Sequence, residues 1–389
     1  MAKKTQGTAL DTHNKVTAAE LENILRLQVT SLLNDPSIAS TLPPLLIHGS
    51  PGCGKSTIVR EICEEFGIGF KDVRLAQMEP CDIRGLPVPN KEKQTMEWFV
   101  NGSWPKKEDN PKGGILFLDE ITSCDKSIAV AAYELVLDRR LGTLYKVPDN
   151  WYIVAAGNLV TDSAVATTMS SALANRFLHV ELKEDQESWL TWARQHDIHP
   201  SVIGFIQYKP QMLFDMDDQN LERGWPSPRS WQRVSQMCQI CKDENVLRKL
   251  IYGLVGNRAG VEFMSFHKLN RKFDDILQTM LDPNSVIKIP EAADEKYAMC
   301  AAMVYLLWRG KDEEDEKKRM TGFYRICIEM TSDFACMALM AAFEGNDKTK
   351  KGIFCDKLTN HPLFVKWRAK HKAAMTAHMK KPKIGLDED

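Results

Sequence analysis

The sequence lacks any long apolar run and any excess of charge of one sign. No stretch approaches the roughly 18 apolar residues of a membrane-spanning helix, and Met1 to Gln6 leads into polar sequence without the apolar centre of a signal peptide. The 51 basic and 52 acidic residues leave a net charge of -1, so no global field draws the chain to nucleic acid or to a membrane. We therefore expect a soluble, cytoplasmic protein without membrane insertion.

Cysteine spacings typical of a disulfide scaffold are also missing. The ten cysteines are scattered along 389 residues, and this usage favours a reducing compartment. Cys238 and Cys241 form a lone C-x-x-C without a second cysteine or histidine pair at zinc spacing, so we interpret them as part of a helix. The length itself predicts two or three domains of about 100 to 200 residues each.

The sequence does contain short apolar runs that alternate with helical patterns as far as residue 185. A capping box at Thr17 to Glu20 predicts the start of a helix that ends near Asn34 to Pro36. Five apolar runs predict strands: Leu45 to His48, Val73 to Leu75, Ile115 to Leu118, Trp151 to Ala156 and Phe177 to Leu182. A helical apolar face at Ile128 to Val136 lies between the third and fourth runs. This alternation predicts a doubly wound α/β domain with a parallel sheet.

Helical patterns take over beyond residue 186. Four segments predict helices: Trp231 to Ile240, Val246 to Val255, Lys296 to Trp308 and Phe323 to Phe343. The charged segment Lys311 to Arg319 predicts a separator between helices, and the basic residues of Lys366 to Lys383 predict a solvated tail. We divide the chain into a flexible tail (1–15), an α/β nucleotide-binding domain (16–185), a helical lid (186–289) and a helical C-terminal region with a basic tail (290–389).

A phosphate-binding loop follows the first of the five predicted strands and precedes a helix. Gly49-Ser50-Pro51-Gly52-Cys53-Gly54-Lys55-Ser56-Thr57 matches G-x-x-x-x-G-K-[ST], and we assign all nine residues to nucleotide binding. The glycines let backbone N–H groups turn towards an anion at a helix N-terminus. Lys55 would reach the β- and γ-phosphates of ATP, and Ser56 would bind Mg²⁺. A helix N-terminus can lower the pKa of a thiol, but we give Cys53 no chemistry.

Two carboxylates follow the third predicted strand, in Ile115-Leu-Phe-Leu-Asp119-Glu120. Asp119 would hold the magnesium shell, and Glu120 would polarise a water molecule for attack on the γ-phosphate. A small-molecule kinase has no need of the second carboxylate, so the pair favours an ATPase.

These motifs, together with further segments in the right order, resemble the AAA+ superfamily and, within it, the MoxR family of the helix-2-insert clade, over roughly residues 20 to 240. Asn158, at the end of the fourth predicted strand, is similar to sensor 1, which positions the attacking water. Arg176, just before the fifth, resembles the arginine finger that enters the neighbouring subunit's site. Arg229, at the start of a lid helix, resembles sensor 2, which contacts the nucleotide.

Two hairpins extend this resemblance. Residues 82–87 and 95–100 are similar to the inserted hairpin that lines the pore of a ring in this clade, and Trp98, Phe99 and Trp104 would grip a partner or pack the hairpin itself. Residues 141–147 are similar to a shorter hairpin before sensor 1. Arg139 and Arg140 match a position that faces the neighbouring subunit, where only one of the two need act.

The resemblance implies a homo-oligomeric ring, expected to be a hexamer, with ATP bound between subunits. It also implies remodelling or maturation of a protein partner, and relatives commonly act on proteins with a von Willebrand A domain. This chain has no D-x-S-x-S metal motif, since the segment Asp35 to Ala39 fails at its last position. Such a domain would have to come from a separate chain.

Two other functions remain open. One is a nucleic-acid-stimulated motor or loader, in which Lys106, Lys107 and the basic tail would form one face, although we do not favour a nucleic acid as the partner. The other is a nucleotide-gated scaffold with little turnover, and the presence of Glu120, Asn158 and Arg176 argues against it.

Overall fold

The computed structural model describes residues 14–142, 144–159, 174–216, 223–271 and 275–379. The chain divides into two compact units, Met1–Asp185 and Gln186–Asp389. None of the described helices is long and apolar enough to cross a membrane. All ten cysteines are free thiols.

The first unit alternates strands with helices. Its strands are β1 (Lys15–Val16), β2 (Leu45–His48), β3 (Gly69–Arg74), β4 (Leu86–Asn90), β5 (Thr95–Phe99), β6 (Gly114–Asp119), β7 (Arg140–Leu141), β8 (Tyr145–Lys146), β9 (Trp151–Gly157) and β10 (Leu178–Leu182). Its helices are α1 (Ala18–Asn34), α2 (Lys55–Phe66), α3 (Pro80–Arg84) and α4 (Lys126–Asp138), with 3₁₀ turns at Pro36–Ser40 and Leu75–Gln77. The capping box predicted at Thr17 and Glu20 is confirmed at the start of α1.

Among the described residues, six strands form one parallel sheet in the order β1-β10-β2-β9-β6-β3. The predicted parallel α/β sheet is confirmed, and the short β1 adds an edge strand that the sequence did not predict. Both faces are covered, as parallel sheets require. Ile115 and Phe117 of β6 pack with α1 and α2, whereas Leu116 and Leu118 pack with α4. The doubly wound architecture follows from this alternation.

Two antiparallel hairpins leave the main sheet. In the longer one, β4 pairs with β5 so that Leu86 lies opposite Phe99; the shorter one pairs β7 with β8. Of the two roles left open for Trp104, the structure supports packing and not contact with a partner. Its side chain is only 1% exposed and packs beside Tyr145, in the core between the sheet and α4. Burial removes the large apolar ring from water.

Arg139 is also buried rather than presented to a neighbour. It has a left-handed backbone at the end of α4, and its guanidinium donates hydrogen bonds to the carbonyl oxygens of Pro148 and Trp151. Arg140 is exposed and lies 3.5 Å from a carboxylate oxygen of Glu134. Arg139 therefore has a structural role, and Arg140 is the one of the two that is exposed.

The described residues of the second unit form helices joined by loops and contain no strand. Its helices are α5 (Gln186–Gln195), α6 (Pro200–Tyr208), α7 (Pro228–Ile240), α8 (Glu244–Arg271, kinked at Gly256), α9 (Ile276–Leu281), α10 (Ala293–Leu307), α11 (Glu313–Glu329), α12 (Ser332–Glu344), α13 (Lys351–Thr359) and α14 (Pro362–Met379), with 3₁₀ turns at Pro210–Met212 and Lys348–Lys350. One core gathers α5 to α8, and the other gathers α9 to α14. Ala298 and Ala301 of α10 belong to the first core, so the two cores share a helix. The lid boundary at residue 289 stays a prediction.

Two predictions for the second unit are wrong in detail. The charged segment Lys311 to Arg319 is mostly the first half of α11, because Asp312 caps the helix and successive acid–base pairs four residues apart support it. The helix predicted over Phe323 to Phe343 is divided in two at Met330 and Thr331.

The basic tail is in part a packed helix, although its basic side chains from Lys366 to Lys372 are exposed as expected. Up to Met379 it forms α14, where Trp367 and His371 are buried in the second core. The Nδ1 atom of His371 lies 2.9 Å from the Ser332 hydroxyl. The apolar residues interleaved with the lysines provide the burial that a purely basic tail would lack.

Candidate functional site

Three polar segments meet at one edge of the main sheet. The phosphate loop follows β2, Asn158 follows β9, and Asp119 is the last residue of β6, with Glu120 directly after it. Because β9 lies between β2 and β6 and all three are parallel, their carboxyl ends share an edge. Open α/β sheets bind ligands at this edge.

The loop itself has the backbone that a phosphate group needs. Gly52 and Gly54 have left-handed φ values of 85° and 102°, which glycine adopts without strain. A Cβ on Gly49 would lie 3.1 Å from both Cys53 Sγ and the carbonyl oxygen of Leu182, so the loop begins in close contact with β10. Gly54 is the N-cap of α2 and has no side chain to bond the first amides, which leaves their N–H groups for an anion. The loop therefore fits a nucleotide phosphate.

Lys55 joins the loop to the end of β9. Its buried Nζ donates hydrogen bonds to the carbonyl oxygens of Gly49 at 2.6 Å and Ser50 at 3.1 Å, and to Asn158 Oδ1 at 3.2 Å. The structure thus brings two of the predicted site residues, Lys55 and Asn158, into direct contact. Carbonyl oxygens do not neutralise the charge of the ammonium group, which can therefore still attract an anionic ligand.

Thr122 holds Asn158 in place and was missed by the sequence reasoning. The backbone N–H of Asn158 donates to Thr122 Oγ1 at 3.1 Å. Gly157 permits this approach, since a Cβ there would lie 2.5 Å from the Thr122 methyl carbon. The position of Thr122 two residues after Glu120 is the signal that could have found it.

The turn after β6 holds the two predicted carboxylate residues. Glu120 has a left-handed backbone with φ 60°, which is uncommon for a residue with a side chain and is found at functional sites. Its N–H donates to Asp119 Oδ1 at 2.9 Å, and the next N–H, that of Ile121, donates to the carbonyl oxygen of Ala156 at 3.0 Å. These bonds fix the turn against β9.

Acidic groups are concentrated beside this turn. Asp72 on β3 has its pKa raised above the usual range, first by burial and then by the like charge of Asp119. The sequence reasoning did not identify Asp72. Carboxylate and hydroxyl oxygens are the donors that Mg²⁺ prefers, so Asp119 and the half-buried Ser56 fit the metal they were predicted to hold. When bound, Mg²⁺ would neutralise charge on the phosphate oxygens.

A pair of histidines lies next to the loop, on β2 and β10. His48 ends β2, and its Nε2 lies 3.1 Å from Nδ1 of His179 on the neighbouring β10. Burial lowers the pKa of His48 to about 4, and the charges of His179 and Lys55 act in the same direction. His48 is therefore neutral at physiological pH and does not compete with Lys55 for an anion.

The two predicted arginines lie away from this edge or in the other unit. Arg176 is exposed on the turn before β10, where it lines a cavity of about 280 Å³ together with Arg139, Pro43 and Pro44. Pro43 and Pro44 precede β2, so this cavity lies towards the amino end of the strands. Arg229 is exposed in the first turn of α7, in the second unit. Residues 171–173 of the predicted finger segment lie outside the described part of the chain.

The thiol of Cys53 is expected to be unreactive. Burial raises its pKa above the ordinary thiol value, and the nearby charge of Lys55 only partly opposes this. The lowered pKa that a helix N-terminus can cause is therefore not found. At pH 8, alkylation followed by peptide mass spectrometry should label the exposed Cys81 at least about tenfold faster than Cys53. Equal labelling rates would contradict the burial argument.

The part of the sequence that contains this site matches a known domain. Residues 44–177 match the sequence profile of the AAA domain (dynein-related subfamily). This range contains the phosphate loop, the carboxylate pair, Asn158 and Arg176. It ends before α5, so the profile does not describe the second unit.

Midasin of Giardia intestinalis is 27% identical over 190 residues, which cover 46% of this chain but only 4% of midasin. Among solved structures, the RuvB Holliday junction branch migration motor of Thermotoga maritima has a TM-score of 0.34 at 17% identity, covering 73% of this chain and 81% of RuvB. A putative ATPase from Cytophaga hutchinsonii has a TM-score of 0.32 at 15% identity, covering 80% of this chain and 88% of its own. Because these TM-scores are low, the assignment of the domain rests on the profile match and on the residues of the site.

Proposed function

We propose that this chain, whose residues 44–177 match the AAA domain of the dynein-related subfamily, is an ATP-hydrolysing, MoxR-like AAA+ ring ATPase that remodels or matures a protein partner. The ring, of which a hexamer is the expected form, would place ATP between neighbouring subunits. Each subunit would supply its phosphate loop to one site and Arg176 to the next.

The residues of the site divide the chemistry among them. Lys55 and the loop amides would hold the phosphates, while Ser56 and Asp119 would hold Mg²⁺. Glu120 would take up the proton of the attacking water, which Asn158 orients. The contact between Lys55 Nζ and Asn158 Oδ1 supports this arrangement because it places the water-orienting amide beside the phosphate-binding lysine. Arg229 would contact the nucleotide from the second unit.

The observation that carries the choice of a protein partner is the hairpin of β4 and β5. Five of its apolar side chains are exposed, namely those of Leu86, Val88, Met96, Trp98 and Phe99. Trp98 is 46% exposed and its neighbour Phe99 is 59% exposed. Because successive side chains of a strand point to opposite faces, both faces of the hairpin are open. Packing within the hairpin does not account for such a surface, and exposed apolar patches mark sites of protein contact.

A trapped complex tests this proposal. The Glu120→Gln variant, loaded with ATP in extracts of its native cell, should retain its partner for mass spectrometry, with nucleotide-free and nuclease-treated controls. Adding Trp98→Ala and Phe99→Ala should abolish retention. Ile240→Ala, which removes an apolar side chain that is 70% exposed on α7, is the matched control and should not.

Recovery of a specific protein, above all one with a von Willebrand A domain, would support the remodelling function. Equal recovery with the doubly substituted hairpin would rule out the hairpin as the contact surface. Nuclease-sensitive recovery of nucleic acid would replace the proposal with the motor or loader function.

The motor function has one observation in its favour. The basic side chains of Lys366, Arg368, Lys370 and Lys372 are exposed on α14, whose apolar side is packed in the core. A rigid basic surface can contact phosphates. DNA or RNA should then stimulate ATP turnover at low salt, and the absence of stimulation there would exclude this function.

A further inference from the structure

Three potential metal ligands meet in the second unit, far from the nucleotide site in the sequence. One ligand atom each from His199, Cys238 and His267 lies within 4.8 Å of the other two. His199 is the N-cap of α6, Cys238 is in the last turn of α7, and His267 is near the end of α8. Separate helices thus bring together side chains that no local spacing connects.

We propose that His199, Cys238 and His267 form a binding site for a transition-metal ion, with Zn²⁺ as the best fit. Two imidazoles and one thiolate are a borderline-soft donor set, which suits zinc and is unsuitable for Mg²⁺ or Ca²⁺. Three protein ligands leave the fourth position of a tetrahedral site to a water molecule or another donor. This metal is distinct from the Mg²⁺ of the ATPase site.

Ser201 contacts both imidazoles. Ser201 Oγ lies 2.9 Å from Nδ1 of His267, and the N–H of Ser201 donates to Nδ1 of His199 at 3.2 Å. A metal-binding histidine is commonly held through its second ring nitrogen, as Nδ1 of His267 can be by the Ser201 hydroxyl. The ring of Phe263 stacks on that of His267, with centroids 5.7 Å apart, and limits its rotation.

The cluster is also open to an ion from solvent. His267 is buried, whereas His199 and Cys238 are only half-buried. The buried ligand would thus form the base of the site and the other two its rim. Binding would join the beginning of α6 to α7 and α8 and so stabilise the first core of this unit.

Binding has a defined proton balance. The Cys238 thiol must give up its proton to solvent, and both imidazoles must be neutral, so affinity rises with pH. The Nδ1 lone pair of His199 accepts from the Ser201 N–H in this structure. If the metal binds Nδ1 of His199, the metal–nitrogen bond replaces this hydrogen bond. If the metal binds Nε2, the ring proton must first move to Nδ1, and the hydrogen bond is lost as well.

Cobalt(II) substitution provides the test. The full-length protein, stripped with a chelator, is titrated with Co²⁺ and then with Zn²⁺ while the thiolate-to-cobalt charge-transfer absorption is followed. We expect one Co²⁺ per chain with this absorption, displaced by Zn²⁺. Cys238→Ser should lose the absorption, and Ser201→Ala should weaken metal affinity by about 10- to 100-fold.

Cys241→Ser is the matched control, because Cys241 is a half-buried cysteine three residues further on, at the C-cap of α7. It should bind Co²⁺ like the unchanged protein. Zn²⁺ should raise the Tm of the unchanged protein and of Cys241→Ser, but not of Cys238→Ser or His267→Asn, each checked for folding by circular dichroism. Absence of the thiolate absorption in the unchanged protein, its persistence in Cys238→Ser, or its equal loss in Cys241→Ser would overturn the proposal.

Discussion

Replacing Glu120 by Gln is expected to lower ATP turnover by about 10²- to 10⁴-fold while ATP binding is retained. The substitution keeps the size of the side chain but removes the carboxylate that would accept a proton from water. Two hydrogen bonds fix the turn that holds Glu120. The Glu120 N–H donates to Asp119 Oδ1, and the Ile121 N–H donates to the carbonyl oxygen of Ala156. Neither bond involves the Glu120 side chain. The phosphate contacts expected of Lys55 should therefore persist.

Phosphate release measures turnover, and titration with a fluorescent ATP analogue measures binding. Glu64→Gln makes the same chemical change on the exposed side of α2 and should leave both unchanged. Undiminished turnover in Glu120→Gln would show that another group acts as the base. Loss of binding together with turnover would show that the side chain supports the loop instead.

Arg176→Ala is expected to lower turnover by about 10³- to 10⁵-fold, the range in which a guanidinium supplied to a phosphoryl-transfer site acts. The structure supports action in trans rather than in cis. Arg176 lines a cavity with Pro43 and Pro44, which precede β2, whereas the phosphate loop follows β2. The four residues of β2 alone span about 13 Å, so the two groups lie towards opposite ends of the strands.

Mixing the two variants distinguishes these cases. Arg176→Ala subunits keep an intact Glu120, and Glu120→Gln subunits keep an intact finger, so mixed rings should regain part of the lost turnover. Arg248→Ala, an exposed arginine of the second unit, should have little effect by itself. If mixed rings of verified composition show no recovery, the trans assignment of Arg176 fails.

Much of the site could be predicted because its signals are local. The run Leu45 to His48, the phosphate loop and the following helix occupy adjacent positions in the chain, and each glycine and lysine there has a backbone or charge requirement that the sequence displays. The carboxylate pair after Ile115 to Leu118 and Asn158 after the next run are located by the same rule, since parallel strands place their carboxyl ends at one edge. The contact between Lys55 and Asn158 is an example, because it joins residues at the carboxyl ends of two neighbouring parallel strands.

Side chains whose surroundings come from distant segments could not be predicted. Trp98 and Trp104 are both aromatic residues near the hairpin, yet the first is exposed and the second lies in the core, because only the latter meets Tyr145 and the apolar side of the sheet. Arg139 and Arg140 are adjacent in the chain and differ in the same way. Burial depends on what folds over a residue, and the residue's own type does not reveal it.

Cys238 shows the same division most clearly. In the sequence we interpreted Cys238 and Cys241 only as part of a helix, whereas the structure brings Cys238 together with His199 and His267 from two other segments. Likewise, the basic residues of α14 are exposed as predicted, but the sequence did not predict that Trp367 and His371 of the same helix are buried. The sequence alone determined the nucleotide-binding α/β unit, because phosphate binding and strand periodicity are written in neighbouring residues. Only the tertiary structure decided which aromatic and basic side chains are exposed and which potential metal ligands lie together, because packing joins residues that the chain keeps apart.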